Sequence, residues 1–390
     1  MRRLLSAAFV LLAAVPSFGG RTPGFSMSAF NVVVPSSSST SVFSPVSFEL
    51  DCALISEAFG PIEKAVYVEA LGALVGYDSV YKPISECYSS SVTNDMTMVS
   101  ARAFLASSLR MISPKYRSFI QSEYGANACP VSPTVDGAES FLRVSMDGAM
   151  EDFRVTDGMT KANGVSFCDL ESFRCSWAEA FPSNNTRKAG FVSSGGVRGE
   201  VMMMSDRRDG DVWKNGRFSV LRLKMSGGAF FFAVLPEPGV PLDSIRGEFA
   251  AEKLDEALVA FKAVADPAVY HGPVCVSIPR ITVDSLVDLK PAFLAFGLPL
   301  GGFKELYLGA DSTLGALVQR TRFVLDECGP GGVRVKDVGS DSAVSSARDV
   351  PGFVCDRPFL FFICHEPTRT VPVSGIYAGE RLSNSADFAK

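Results

Sequence analysis

The apolar positions near the C-terminus set a pattern that the rest of the chain can be read against. Phe323-Val324-Leu325-Asp326-Glu327 is an apolar run ending in acid. Cys328 to Gly352 is polar and rich in Gly and Ser, with no helical period and one short alternation, Val333-Arg334-Val335-Lys336. Phe359-Leu360-Phe361-Phe362-Ile363-Cys364 then gives an aromatic and β-branched run, broken at Pro367-Thr368, and Val371-Pro372-Val373-Ser374-Gly375 returns. That last pair predicts two buried strands around a short turn. A segment of roughly 25 residues without its own periodicity is uncommon in a compact domain and is usually functional or disordered. Here it leads into a hairpin that reads as buried, so it predicts a displayed loop.

Further strand-like runs stand at Phe218–Leu223, Phe230–Pro236 and Val274–Ile281, and apolar residues are dense around Met202-Met203-Met204. Strand-like and helix-like segments mix without strict βα alternation, which predicts an α+β fold. No Pro/Gly linker, charge run or internal repeat divides the chain, so residues 25–382 read as one domain. Residues 1–20 carry a basic start, an apolar core from Leu4 to Val15 and a small-residue exit, the pattern of a secretory signal peptide. The core is too short to span a bilayer. The expectation is a secreted, extracellular, monomeric protein with no membrane partner. Asn184-Asn185-Thr186 is an N-glycosylation sequon, consistent with a glycoprotein.

The net charge of −5 gives no sign of a nucleic-acid partner. Nine cysteines, an odd number, leave at least one thiol unpaired within the chain. Cys168 and Cys175 are near enough in sequence to be candidates for a local disulfide, which spacing alone does not establish. With only His271 and His365, no Cys/His spacing fits zinc, and no metal or cofactor is expected. Cys364 and His365 are neighbours in a strand and point to opposite faces, so they make no nucleophile–base pair. Gly329-Pro330-Gly331-Gly332 lacks the Lys-Ser/Thr of a phosphate loop. The chain does not read as an enzyme.

Several stretches together resemble the serpin (serine protease inhibitor) family, in the family's order. Asp356-Arg357-Pro358-Phe359-Leu360-Phe361 with the return to Gly375 is similar to the serpin ending D-[RHK]-P-F-L-F. Val42-Phe43-Ser44-Pro45-Val46-Ser47 resembles V-x-F-S-P-x-S, which leads into a central helix, and Cys52, Ala53 and Ala58 supply small side chains for close packing there. Ser100–Leu105 with Tyr116 to Ala126 matches x-A-N-x-L-F … Y-x-A, with Arg102 in place of the asparagine. Asn163, Phe167, Trp177 and Phe181 resemble V-N-A-x-Y-F-K-G-x-W-x-x-x-F, with extra spacing read as an insertion holding Cys168 and Cys175. Val201-Met202-Met203, Val274–Ile281 and Leu289, Leu294, Gly297, Leu298 and Phe303 extend the series over residues 25–380.

The resemblance implies the serpin fold, mixed β-sheets with about eight or nine helices and an exposed reactive-centre loop, here about 327–354. It implies a serine-type endopeptidase inhibitor acting by loop cleavage and insertion. Its partner would be an extracellular serine protease, with a cysteine protease as the alternative. The implied hinge is Glu327, Gly329, Pro330, Gly331, Gly332 and Val333. Candidate scissile bonds are Ala343-Val344, Arg348-Asp349 and Asp341-Ser342. Pro330 stands where the family places an inward threonine, and proline cannot donate to a central ladder. In the same register Arg334 and Lys336 face inward, and a one-residue slip would turn Val333 and Val335 inward instead. The alternative is therefore a non-inhibitory serpin-fold binding or substrate protein. Arg102, Arg110, Lys115 and Arg117 fall near a family polyanion-binding helix, but they are sparse and read as a solvated face.

Overall fold

The computed structural model describes residues 23–34, 36–71, 96–106, 112–130, 136–146, 150, 152–154, 165–248, 261, 267–304, 314–331, 350–368 and 370–379. In chain order the elements are α1 (Pro23–Val33), β1 (Ser41–Phe43), α2 (Pro45–Ser56), α3 (Pro61–Ala70), β2 (Met96–Ala106), α4 (Pro114–Tyr124), β3 (Asn127–Pro130), α5 (Asp136–Ser145) and β4 (Val165–Cys175). There follow β5 (Arg187–Val192), β6 (Arg198–Lys214), β7 (Phe218–Lys224), β8 (Ala229–Pro236), α6 (Leu242–Glu248), β9 (Val269–Pro279), β10 (Ile281–Asp288) and α7 (Lys290–Ala295). The chain closes with β11 (Leu314–Asp326), β12 (Gly329–Pro330), β13 (Gly352–Val354), β14 (Phe359–His365) and β15 (Thr370–Tyr377). Seven α-helices stand among the described residues, with two sheets, as the α+β expectation requires.

One sheet has nine strands in the order β1-β15-β14-β8-β7-β6-β9-β13, with β5 on β6. The C-terminal hairpin lies inside it: β14 pairs with β15 and β8, and every residue of both hairpin strands is buried. Covered on both faces, these strands need no polar alternation, which is why they read as continuous apolar runs. Phe362 stacks on Phe232 of β8 at 4.6 Å between ring centroids.

The second sheet has six strands, ordered β10-β11-β4-β2-β3, with the short β12 on β11. Its inner face packs on α2, all twelve residues of which are buried between this sheet and the hairpin. The start of α2 is specified locally. Ser44 caps it by accepting from the Ser47 amide at 3.3 Å, and Pro45 occupies a first-turn position where a missing N–H costs nothing. The outer face carries α5 over Ala101, Ala103, Cys168 and Leu170, a second small core.

Candidate functional site: the hinge and the seam beneath it

Neighbouring strands β4 and β11 run parallel, with Gln319 beside Asp169, Thr321 beside Glu171 and Arg322 beside Ser172. Beyond Arg322 the two strands no longer pair, and the gap is occupied. The chain leaves β11 at Asp326, turns through Glu327 and Cys328, and comes back as β12, antiparallel to β11. Asp326 faces Gly329 and Leu325 faces Pro330, and the Gly331 amide donates to the Val324 carbonyl at 2.8 Å. Leu325 and Pro330 are buried on the inner face of the sheet. Pro330 and Leu325 thus face each other across the β11–β12 ladder.

The other wall of the mouth is the end of β4. The Trp177 amide donates to the Cys328 carbonyl at 3.0 Å, the Phe181 amide to the Glu327 carbonyl at 2.8 Å, and the Trp177 indole N–H to the Asp326 carbonyl at 2.9 Å. Gly329 is required here. Its φ is +119°, a conformation L side chains rarely adopt, and a Cβ would lie 2.4 Å from the Cys175 carbonyl oxygen. Glu327 anchors the turn: Arg280 donates to both its carboxylate oxygens (2.6–3.2 Å) and Thr186 to one of them at 2.5 Å. Burial works against the ionised carboxyl, but the bonds from Arg280 and Thr186 outweigh it and hold Glu327 below the usual carboxylate range.

Directly below the mouth lies a buried polar cluster. Arg102 on β2 is 3% exposed and donates through Nε to Asp51 of α2 (2.9 Å), through Nη2 to Glu171 of β4 (2.7 Å) and to Ser47, and through Nη1 to Ser100 (3.0 Å). Its Nε is 3.6 Å from Asp169 Oδ1. The Ser47 hydroxyl reaches Asp169 at 2.7 Å and also Glu171. From β11, the Gln319 side-chain amide donates to Asp169 at 3.1 Å and to the Ser44 carbonyl at 3.3 Å, and its oxygen accepts from the Ser44 amide at 2.9 Å. Three carboxyl groups thus share one guanidinium. Burial, with the neighbouring Asp169 charge, pushes the Asp51 and Glu171 carboxyls well above their ordinary values.

The sequence of residues 22–378 matches the serpin (serine protease inhibitor) family. The chain belongs to the serpin family. It is 26% identical to the human glia-derived nexin over 220 residues and 24% identical to the rat neuroserpin over 221 residues. Each alignment covers 52% of this chain and about half the length of the relative. Among solved structures, uncleaved ovalbumin superimposes with a TM-score of 0.77 at 17% identity, covering 93% of this chain and all of that one. These matches establish the serpin fold.

Several site expectations are corrected. Cys168 and Cys175 lie seven residues apart on the single strand β4, about 23 Å at strand rise, so they cannot form a disulfide. Nor do Cys168 and Cys175 sit in an insertion between Asn163 and Trp177, because β4 runs unbroken from Val165 to Cys175. The serpin motif places its asparagine eight positions before the tryptophan, and that position is Asp169, not Asn163. Arg102 is no part of a basic helix: it is buried in a strand among carboxylates, while Lys115 and Arg117 lie on α4. The side chain of Asn184 is exposed in a short 3-10 turn whose sequon threonine, Thr186, bonds Glu327. The expected signal segment 1–20, Gly332, Val333 and the candidate scissile residues Asp341, Ala343, Val344, Arg348 and Asp349 lie outside the described residues. The loop re-enters at Val350 and Pro351, where the Cys275 amide donates to the Pro351 carbonyl at 2.9 Å and β13 joins β9. The seam cluster was missed because its partners are far apart in sequence. The signal was present in Arg102, Asp169 and Glu171, charged residues set within otherwise strand-like apolar stretches.

Proposed function

We propose that this serpin is a secreted inhibitor of serine proteases that offers residues 332–349 as bait and inserts the cut loop between β4 and β11. The observation that carries this reading is β12. Two residues of the hinge already sit in the mouth of the seam, antiparallel to β11, and the seam below them is still closed. A protease that attacks the loop forms an acyl-enzyme. Extending β12 down the seam would then remove the acylated end from the place where deacylation can occur. The family, and relatives described as nexin and neuroserpin, support the same reading. The basic and apolar N-terminal leader, with a sequon at Asn184, supports secretion.

The second reading, a serpin that is cut without trapping, is favoured by Pro330. With no N–H, it removes one ladder bond on the side facing β4. One such bond is worth about 1 kcal/mol and lies at the mouth, where insertion has already begun. That is a small loss against a whole added strand.

Mixing the protein with excess elastase-like, trypsin-like and aspartate-specific serine proteases and running a denaturing gel decides between them. A covalent serpin–protease band is the expected result, and sequencing the released C-terminal peptide locates the scissile bond. Complete cleavage with no such band would sink the inhibitory reading.

A further inference from the structure

The connection from β4 to β5 is gripped at both ends by one residue, Glu327 of the β11–β12 turn. The Phe181 amide donates to the Glu327 carbonyl at 2.8 Å, and the Thr186 hydroxyl donates to the Glu327 carboxylate at 2.5 Å. Between these two grips Ser183–Asn185 form a short 3-10 turn. It is closed by the Asn185 amide on the Pro182 carbonyl at 3.0 Å and the Thr186 amide on the Ser183 carbonyl at 3.2 Å. Asn184, in the middle of the turn, is exposed. Asn184-Asn185-Thr186 is therefore a sequon whose asparagine is open to solvent while its threonine hydroxyl is engaged elsewhere.

The chemistry of N-glycosylation needs both ends of a sequon. The amide nitrogen of the asparagine displaces the lipid diphosphate from the anomeric carbon of a lipid-linked oligosaccharide. A nitrogen–carbon bond forms, the bond from the anomeric carbon to the phosphate oxygen breaks, and an amide proton is lost as the lipid diphosphate departs. The transferase reads the hydroxyl two residues on, here Thr186 Oγ1. In the folded chain that hydroxyl is committed to Glu327, whose carboxylate oxygens Arg280 also holds at 2.6–3.2 Å. Charge-assisted bonds of this kind are shorter and stronger than neutral ones. Lending Thr186 to a transferase would therefore undo part of the anchor of the β11–β12 turn.

We infer that Asn184 is an N-glycan site whose use is set by the β11–β12 turn: Thr186 serves the transferase before Glu327 docks, and serves Glu327 afterwards. This rests on the secretion reading above. Glycan attachment and docking of Glu327 compete for one hydroxyl, so the sugar is added while Glu327 is still undocked. Once attached it does not oppose docking, because Asn184 is exposed and the grips on Glu327 come from its neighbours Phe181 and Thr186. The finished glycan stands on the outside of the turn that holds Glu327.

The test has two arms. In the first, the full-length chain is made in a eukaryotic secretory host and treated with peptide N-glycosidase, and the deamidation that marks a former glycan is mapped by mass spectrometry. It is expected at Asn184, and secreted protein unmodified there overturns the inference. In the second, folded, unglycosylated full-length protein is offered to a purified oligosaccharyltransferase with a lipid-linked oligosaccharide. Glu327→Ala, which releases Thr186, is expected to be modified about tenfold faster than wild type or more, the factor a charge-assisted hydrogen bond withholds. Arg280→Ala, which loosens Glu327 without removing it, should fall between the two. Tyr67→Phe, which loses the hydrogen bond from α3 to the Pro299 carbonyl, should match wild type. Equal rates for wild type, Arg280→Ala and Glu327→Ala overturn the inference. So does an acceleration that Tyr67→Phe shares, because general loosening would then set the rate. A chain retained inside the host removes the secretion reading alone, and the second arm still decides whether Glu327 withholds Thr186.

Discussion

Gln319 on β11 and Asp169 on β4 face each other across the closed seam, joined by an amide-to-carboxylate bond of 3.1 Å. The same Gln319 side chain exchanges hydrogen bonds with the backbone of Ser44 at the start of α2. One side chain therefore ties both strands to the central helix α2. Separating β4 from β11 must break the Asp169 bond but can leave the Ser44 bonds intact, so opening has a defined cost at a defined place.

Replacing Gln319 with Leu removes that tie and leaves Asp169 without its donor from β11. The uncut protein should lose about 1–3 kcal/mol, the penalty of an unsatisfied buried acceptor. Urea unfolding of the uncut protein measures this. A synthetic peptide of residues 330–342 should also anneal into the variant faster than into wild type. Unchanged stability with unchanged annealing would show that the seam is held elsewhere.

Gly329→Ala combines a strained φ of +119° with a Cβ 2.4 Å from the Cys175 carbonyl. The wall it meets yields little, because the nearest atoms, from Cys175, Ser176 and Trp177, are all backbone. The expected loss is about 3 kcal/mol, relieved by expelling β12 from the mouth. The expelled hinge should then be cut by proteases near Pro330 in the uncleaved protein. Limited proteolysis with mass mapping reads this out, and resistance equal to wild type would count against the described hinge.

Arg280→Ala removes the two-pronged partner of Glu327. Arg280 is 44% exposed, so the loss of stability should be modest, about 0.5–1 kcal/mol. The pH dependence is more telling. Glu327 has a folded value below its ordinary 4.5, so its contribution is present above that pH and disappears as pH falls through the folded value. Hinge proteolysis in wild type should rise on acidification below about pH 4.5, and in Arg280→Ala it should already be raised at neutral pH.

The hairpin and the central helix were legible because each is local. Phe359–Cys364 can be buried only as strands covered on both faces, Ser44-Pro45 is a helix start, and alternation carries a register forward once one residue is placed. What could not be read was the meeting of distant parts. Nothing near Arg102 in sequence announces Asp51, Asp169 and Glu171, and the tempting Asn163 drew the β4 motif out of register. The same error created an insertion and, with it, a disulfide that a single extended strand forbids. Trp177, counted back eight positions, would have placed Asp169 at the seam.

His365, at the end of β14, is 3% exposed and bonds Thr368 Oγ1 at 2.6 Å and the Gly227 carbonyl at 3.1 Å. Burial lowers its affinity for a proton, only partly opposed by the Gly227 carbonyl. A histidine with a folded value below 6.5 contributes stability above 6.5 that is lost as pH falls through the folded value. Wild type should therefore weaken as pH falls below about 6.5, with a slope of up to about 1.4 kcal/mol per unit, and His365→Gln should flatten it. Urea midpoints across that range give the slope directly, and an equal slope in the variant would assign the effect to another group.

Arg102→Met removes the one cation that Asp51, Asp169 and Glu171 share among the described residues. The side-chain volume is nearly kept, so the effect is electrostatic. Asp51 and Glu171 already have folded values well above their unfolded ones, so each favours the fold most at low pH and loses that contribution as pH rises from about 4. Without Arg102 their ionisation becomes harder still, and the cost of the substitution must grow with pH. It should be slight near pH 4, where protons neutralise the cluster. It should reach about 3–5 kcal/mol at pH 8, where uncompensated buried charge is at stake. Denaturation at both pH values separates this from a packing defect, which would cost the same at each.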